Sequence, residues 1–168
     1  MLISKDDIKN YDRIRRLKLI NSIPGIRSVH LIGTKSNTNS NLAIFSSVTH
    51  LGSNPALLSF ISRPSHEVKR DTLDNIKKTK YYTINSIEES IIEKAHQTSC
   101  KYPKELSEFK ECCLTENYID KFHAPFVKES NIKIGMKFLE SIKIKQNNTE
   151  LIIGEIQLIK LKYNDLKK

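Results

Sequence analysis

Apolar residues recur about every third position in the first twenty residues and alternate with polar residues over much of the remaining chain. The first pattern comprises Ile8, Tyr11, Ile14, Leu17 and Ile20. It predicts one helix, because residues on one helical face recur at this spacing, and Pro24-Gly25 ends it. Ser4 and Asp7 resemble a capping box at its start. We expect this N-terminal helix, within residues 1–23, to pack on the rest of the protein.

Strand-like segments follow the helix and are separated by polar turns. The predicted strands cover 27–34, 41–49, 56–62, 81–87, 132–144 and 151–161, with a turn at 50–55. Helices are predicted from Asp71 to Thr79 and over 88–96, whereas 97–125 is the least regular region, with only short helical fragments. Several antiparallel strands with a few short helices predict a closed or nearly closed β-barrel with added helices. No repeat or linker divides the 168 residues, so we expect a single domain over 1–168.

The net charge of +9 raises nucleic acid as a partner. However, the lysines are scattered and alternate with acidic and apolar residues, as on solvated faces; Lys133 and Lys137 alternate with apolar residues in this way. Basic and aromatic residues also do not interleave in a base-stacking motif. We therefore expect no nucleic-acid partner and interpret part of the charge as attraction for phosphorylated small molecules.

The cysteines and the N-terminus indicate a cytoplasmic protein. Cys100, Cys112 and Cys113 form no C-x-x-C pair and no disulfide framework, as is typical of free thiols in a reducing compartment. His96 lies four residues before Cys100, but no second ligand pair accompanies it, so we expect no metal site. The first residues are charged, unlike a secretory signal, and no apolar run is long enough to span a membrane.

The sequence contains no dinucleotide-binding glycine motif, no P-loop and no serine-hydrolase elbow. One candidate anion site combines strand-end hydroxyls with the loop before the second helix. Its members are Ser46, Ser47, Thr49, Ser62, Arg63, Arg70 and Thr72. Helix N-terminal N–H groups and arginine side chains favour phosphate. The alternative stays open that the two serines only satisfy the barrel rim and that the arginines are solvated loop charges.

Four stretches of the chain resemble the flavin reductase-like family, whose fold is the FMN-binding split barrel. They are NLAIFSSVTHLGSNPALLSFISRP from Asn41, KRDTLDNIKKTKYYTIN from Lys69, AHQTSCKYPKELSEF from Ala95 and GEIQLIKL from Gly154. The similarity runs in order over about residues 24–161. It implies a mainly β, six-stranded Greek-key antiparallel barrel that forms a homodimer and holds FMN near the subunit interface.

The resemblance also implies which residues bind the cofactor. The segment 41–49 lines the flavin ring and its ribityl chain, the segments 62–63 and 70–72 meet the phosphate, and 95–99 lies close to the flavin. The implied FMN-binding residues are Asn41, Phe45, Ser46, Ser47, Val48, Thr49, Ser62, Arg63, Arg70, Thr72 and His96. For His96, at a helix end, a structural role remains an equal alternative.

The function that the resemblance implies is transfer of hydride from NAD(P)H to flavin. Flavin carries this chemistry, so no catalytic side chain is required. We expect backbone N–H groups and the hydroxyls of Ser46, Ser47 or Thr49 to bond the ring. The alternative is an FMN-binding electron-transfer protein without its own NAD(P)H activity. A third hypothesis, a basic barrel that binds single-stranded nucleic acid, lacks a stacking platform. The final electron acceptor is free flavin, a ferric chelate or a partner oxygenase.

Overall fold

The computed structural model describes residues 1–37, 39–64, 71–103 and 105–162. The strands are β1 His30–Lys35, β2 Ser40–Phe45, β3 Thr49–Ser53, β4 Ala56–Ser62, β5 Tyr81–Ser86, β6 Glu116–Asn117, β7 Phe126–Val127, β8 Ile132–Ile144 and β9 Thr149–Leu161. The helices are α1 Lys5–Asn10, α2 Arg13–Ser22, α3 Asp71–Thr79, α4 Ile92–Gln97 and α5 Glu108–Glu111, with a 3-10 turn at Glu89–Ile91. Across these ranges, no helix has the length and apolar content needed to cross a membrane.

Seven strands of the described residues form one antiparallel sheet in the order β2-β1-β5-β8-β9-β4-β3, one strand more than the six that the resemblance implies. Its two outer strands, β2 and β3, follow each other in the chain. Ser47 lies between them and joins the backbone of β4: the Ile61 N–H donates to Ser47 Oγ at 3.0 Å. The sheet therefore curls into a nearly closed barrel, and the predicted mainly β barrel with added helices is confirmed.

The described residues form two apolar cores, one on each side of the sheet. The barrel interior contains Ile32, Phe60, Ile76, Tyr82, Ile84, Met136 and Ile152. The outer core, beneath α4 and α5, contains Leu31, Leu42, Ile91, Ala95, Phe109, Cys112, Leu114 and Val127. Alternate residues of β1 enter opposite cores because successive side chains of a strand point to opposite faces. A side chain at position 154 would force the buried Tyr82 to shift, since a Cβ there would overlap the Tyr82 hydroxyl oxygen.

The N-terminal segment differs from the prediction of one helix. The capping box of Ser4 and Asp7 is confirmed, but α1 ends at Asn10. Asp12 then begins a second helix, because its carboxylate accepts the N–H groups of Ile14 and Arg15 at 2.8 and 3.0 Å. No residue of either helix is buried in the single chain. Packing of this segment on the barrel remains a prediction.

The predicted strand over 41–49 is also wrong in its extent. It is divided into β2, a connection from Ser46 to Val48, and the start of β3, which includes most of the predicted turn at 50–55. The turn-forming residues of 50–55 favoured a turn, so β3 was not predicted there. Gly52 lies beside a bulge, where the pairing of β3 with β4 shifts. A bulge accepts an extra residue without ending the strand.

The prediction of solvated lysine faces fails at Lys133. This side chain is buried, with 8% of its surface exposed, and its Nζ donates to the carbonyl oxygens of Lys128 and Ser130. Desolvation lowers the pKa of Lys133. The ammonium group therefore ties the loop before β8 to that strand. The period of a strand gives the face of a residue, but the neighbouring loop decides whether that face meets water.

Candidate functional site

Helix α3 crosses from β1 and β2 to β9 and places its first turn beside Asn41. The Thr72 hydroxyl donates to Asn41 Oδ1 at 2.8 Å. Further along, Asn75 Nδ2 donates to Thr34 Oγ1 at 3.1 Å, and Lys77 Nζ meets Glu150 at 2.6 Å. The buried Ile76 anchors the helix in the barrel interior. The fold therefore brings two sequence-predicted residues, Asn41 and Thr72, into direct contact although 31 positions separate them.

The connection between β2 and β3 carries three more of the predicted residues. Ser46 is exposed, whereas Ser47 and Val48 are half-buried. The Ser47 hydroxyl is engaged by the Ile61 backbone, as in the alternative that this serine satisfies the barrel rim. The main-chain N–H groups of 46–48 form no hydrogen bond within the described part of the chain. These N–H groups form a row of donors outside the sheet.

Phe45 belongs mainly to the barrel. Its ring packs edge-on against Phe60, with 4.9 Å between the ring centroids and 68° between their planes. Its partner across the sheet is His30. The Nδ1 atom of His30 is buried and has no hydrogen-bond partner among the described residues. Burial lowers the pKa of His30, which favours the neutral imidazole. Sequence reasoning did not select His30, because only the pairing of β1 with β2 places it beside Phe45.

The remaining predicted residues are more dispersed. Ser62 is buried at the end of β4, and Arg63 follows it with an exposed side chain. Arg70 lies outside the described residues. Thr49 is exposed, and its hydroxyl donates to the Ser47 carbonyl at 3.4 Å. His96 is exposed on α4, and no hydrogen bond joins it to the other predicted residues within the described ranges.

Glu108 is a residue of this region that sequence reasoning missed. Its carboxylate accepts both Asn41 Nδ2, at 3.0 and 2.9 Å, and the Leu42 N–H at 3.0 Å. Leu42 lies on β2, the outer strand of the sheet, so this N–H has no neighbouring strand to bond on that side. Burial raises the pKa of Glu108. The only sequence signal was its position in the stretch 95–109, where no role was assigned to it.

The residues of this region suit a flavin that bears a phosphate. The row of N–H donors at 46–48 matches the carbonyl and nitrogen acceptors on the edge of a flavin ring. The exposed Arg63 guanidinium and the first turn of α3 offer the donors that phosphate prefers. Asp71 and Asp74, in the first turn of α3, are opposing charges there. The donor set thus fits the cofactor that the resemblance implies.

Comparisons with known proteins identify the family and the fold. A model of the flavin reductase like domain matches residues 26–168. The structure is similar to a candidate flavin reductase with a split barrel domain from Shewanella frigidimarina NCIMB 400. That protein is 44% identical, with a TM-score of 0.94, over 100% of this chain and 83% of that one. Component B of nitrilotriacetate monooxygenase from Bacillus cereus is 20% identical, with a TM-score of 0.86, over 100% and 84% of the two chains, and shows the shared fold.

One curated relative is an uncharacterized protein from Aquifex aeolicus (strain VF5). It is 28% identical over 107 residues, which are 64% of this chain and 54% of that protein. The chain therefore spans about half the length of this relative.

Proposed function

The chain belongs to the flavin reductase-like family, and from that premise we propose that it binds FMN and transfers hydride from NAD(P)H to flavin. The observation that carries the proposal is the row of unbonded main-chain N–H groups at 46–48, which follows directly on the half-buried Phe45. A scaffold that leaves three adjacent donors without acceptors is suited to a ligand rich in acceptors.

The protein's own part in this reaction is binding and electrostatics. Flavin, when bound, supplies the hydride acceptor, and no side chain has to act as nucleophile or general base. The N–H groups at 46–48 would bond the edge of the ring where negative charge increases on reduction. Arg63, Arg70 and the first turn of α3 at Thr72 would hold the phosphate. Phe45, which packs on Phe60, supports the strand from inside the barrel.

We propose that two copies associate and that residues 1–168 form one domain in each. Helix α2 supports this, because the helix and the residue that caps its C-terminal end expose four apolar side chains in the single chain. They are Ile14, Leu17, Ile20 and Ile23, with 65%, 43%, 42% and 67% of their surface exposed. A ten-residue helix is not stable alone in water, so a second surface should cover it. Sedimentation that shows a monomer at micromolar concentration would contradict the dimer.

The proposed electron acceptor is free flavin, a ferric chelate or an oxygenase, in a cytoplasmic setting. The alternative is an FMN-binding electron-transfer protein that another protein reduces. In the reductase, NAD(P)H would stack over the exposed flavin face without a dedicated dinucleotide-binding domain, so the lack of a dinucleotide-binding glycine motif is compatible with both functions.

The visible absorbance spectrum of the purified protein, loaded with FMN under anaerobic conditions, tests the proposal. Addition of NADH or NADPH should bleach the flavin bands promptly, and the faster donor is the preferred one. Bands that persist with both donors would favour the electron-transfer alternative. A protein that binds no FMN would share the family's fold without this function.

The phosphate assignment has its own test. Arg63→Ala with Arg70→Ala should raise the Kd of FMN at least about tenfold, because charge-assisted bonds to phosphate are lost. The fold should remain, since loop charges contribute little to stability. Lys143→Ala with Lys145→Ala is the matched control, because these exposed lysines lie at and beyond the far end of β8. An unchanged Kd in the arginine variant would remove the assignment.

A further inference from the structure

A chain of hydrogen bonds runs from α5 through β2 to the start of α3. Glu108 accepts both bonds from Asn41 Nδ2, and Asn41 Oδ1 accepts the Thr72 hydroxyl at 2.8 Å. Thr34 lies at 3.3 Å from the same oxygen and in turn accepts Asn75 Nδ2 at 3.1 Å. These hydrogen bonds therefore link α5 to two positions of α3, Thr72 and Asn75, through the single amide side chain of Asn41.

The carboxylate determines how that amide is oriented. An ionised carboxylate only accepts hydrogen bonds, so the NH₂ group of Asn41 must face Glu108. The carbonyl oxygen of Asn41 must then face Thr72, whose hydroxyl hydrogen is directed to it. Thr72 is buried, with 8% of its surface exposed, so this bond holds its side chain in one position. What Thr72 can still offer to an anion is its main-chain N–H.

We propose that Glu108 is a positioning residue for the flavin phosphate, because through Asn41 it fixes Thr72 in the first turn of α3. The inference rests on the proposed function, in which that turn meets the phosphate. Glu108 itself does not touch the cofactor. Its action passes through Asn41, and loss of the carboxylate leaves the amide free to turn and Thr72 free to move.

A purely structural role is the competing explanation, since Glu108 also bonds the Leu42 N–H at the edge of the sheet. The two roles differ in what they affect. If Glu108 is only structural, its removal weakens the binding of every flavin. If Glu108 is a positioning residue, its removal weakens only the binding of the phosphate. FMN and riboflavin differ only in that phosphate, so the ratio of their Kd values separates the roles.

The experiment measures the Kd of FMN and of riboflavin, from the change in flavin fluorescence, for the full chain and its variants. Glu108→Ala should raise the Kd of FMN about tenfold and leave that of riboflavin within about twofold. Glu111→Ala is the matched control, because this carboxylate lies on the same helix and forms no hydrogen bond in the described chain. Neither Kd should change in the control.

A double-mutant cycle tests the route through Asn41. If Glu108 acts through this amide, Glu108→Ala should have no further effect on FMN in an Asn41→Ala background. Additive effects on FMN would overturn the route. Equal weakening of FMN and riboflavin by Glu108→Ala would overturn the positioning role.

If Glu108→Ala does not fold, Glu108→Leu replaces it, because leucine fills much of the same space but accepts no hydrogen bond from Asn41 Nδ2. An unchanged ratio of FMN to riboflavin affinity in that variant overturns the inference. If the native chain binds riboflavin as tightly as FMN, the proposed phosphate site fails, and the positioning role fails with it. A native preference for FMN that Glu108 variants leave intact overturns only the positioning role.

Discussion

Glu88 and Glu108 hold similar sets of hydrogen-bond donors at two different places in the molecule. Glu88 accepts the backbone N–H and Nδ2 of Asn131, at 3.1 and 2.7 Å, and the Ser86 hydroxyl at 2.6 Å. Glu108 likewise accepts one backbone N–H, from Leu42, and the amide of Asn41. Yet the hydrogen bond from Ser86 lowers the pKa of Glu88, whereas burial raises the pKa of Glu108.

The difference shows that donors alone do not decide the state of a carboxylate. Hydrogen bonds favour the ionised form at both places, but the loss of water outweighs them at Glu108. Glu88 joins the end of β5 to the start of β8, two strands that already pair. Glu108 joins α5, β2 and α3, and no backbone–backbone hydrogen bond links these three elements within the described residues. We therefore expect the region around Glu108 to be the more sensitive to substitution.

The largest expected difference is in the cost of removing each carboxylate. Glu108→Ala should lower the free energy of unfolding by about 2 kcal/mol, because it leaves partly buried donors without an acceptor. Glu88→Ala should cost about 1 kcal/mol or less, since water can replace the carboxylate at this more accessible place. Denaturant unfolding of both variants measures the two costs. Equal losses of unfolding free energy in the two variants would show that burial does not distinguish the two regions.

Asn41 and Asn131 are the amide partners of Glu108 and Glu88. Asn41→Ala removes the link between Glu108 and Thr72 and should cost about 2 kcal/mol. Asn131→Ala keeps the backbone N–H and loses only one side-chain bond to Glu88, so about 1 kcal/mol is expected. Thermal unfolding monitored by circular dichroism ranks the two variants. A larger loss for Asn131→Ala would contradict this ranking.

The smallest effect is a pH dependence of opposite sign. The pKa of Glu108 lies above its ordinary value of 4.5 in the folded chain, so its contribution to stability is present below 4.5 and is lost as pH rises through the folded pKa. The pKa of Glu88 lies below 4.5, so its contribution is present above that value and is lost as pH falls through the folded pKa.

The matching variants make this pH dependence measurable. The stability of the native chain relative to Glu108→Gln should fall as pH rises above about 4.5, whereas relative to Glu88→Gln it should fall as pH drops below about 4.5. Unfolding free energies over pH 3–7 test both slopes. Slopes of the same sign would mean that hydrogen bonding outweighs burial at both carboxylates.

Local patterns in the sequence predicted the elements that depend on near neighbours. The strand β4 and the helix α3 have the predicted bounds, and the alternating residues of β8 and β9 form the predicted hairpin. The division of 41–49 into two strands was not predictable, because it depends on the bond between Ser47 and Ile61. The break between α1 and α2 had a local signal, because aspartate is a common N-cap residue and Asp12 begins α2. The regular apolar spacing across this position nevertheless favoured one continuous helix.

At the candidate site, the sequence was enough to identify the family and the residue types that we propose to meet a flavin phosphate. Hydroxyls, arginines and the start of a helix lie close together in the chain there, so their chemistry can be read without a fold. Three contacts are visible only in the folded chain. Thr72 donates a hydrogen bond to Asn41, His30 lies beside Phe45, and Glu108 accepts a hydrogen bond from the Asn41 amide, 67 positions away. Such contacts depend on strand register and on how helices cross the sheet. Both are set by the simultaneous packing of two cores rather than by any local segment.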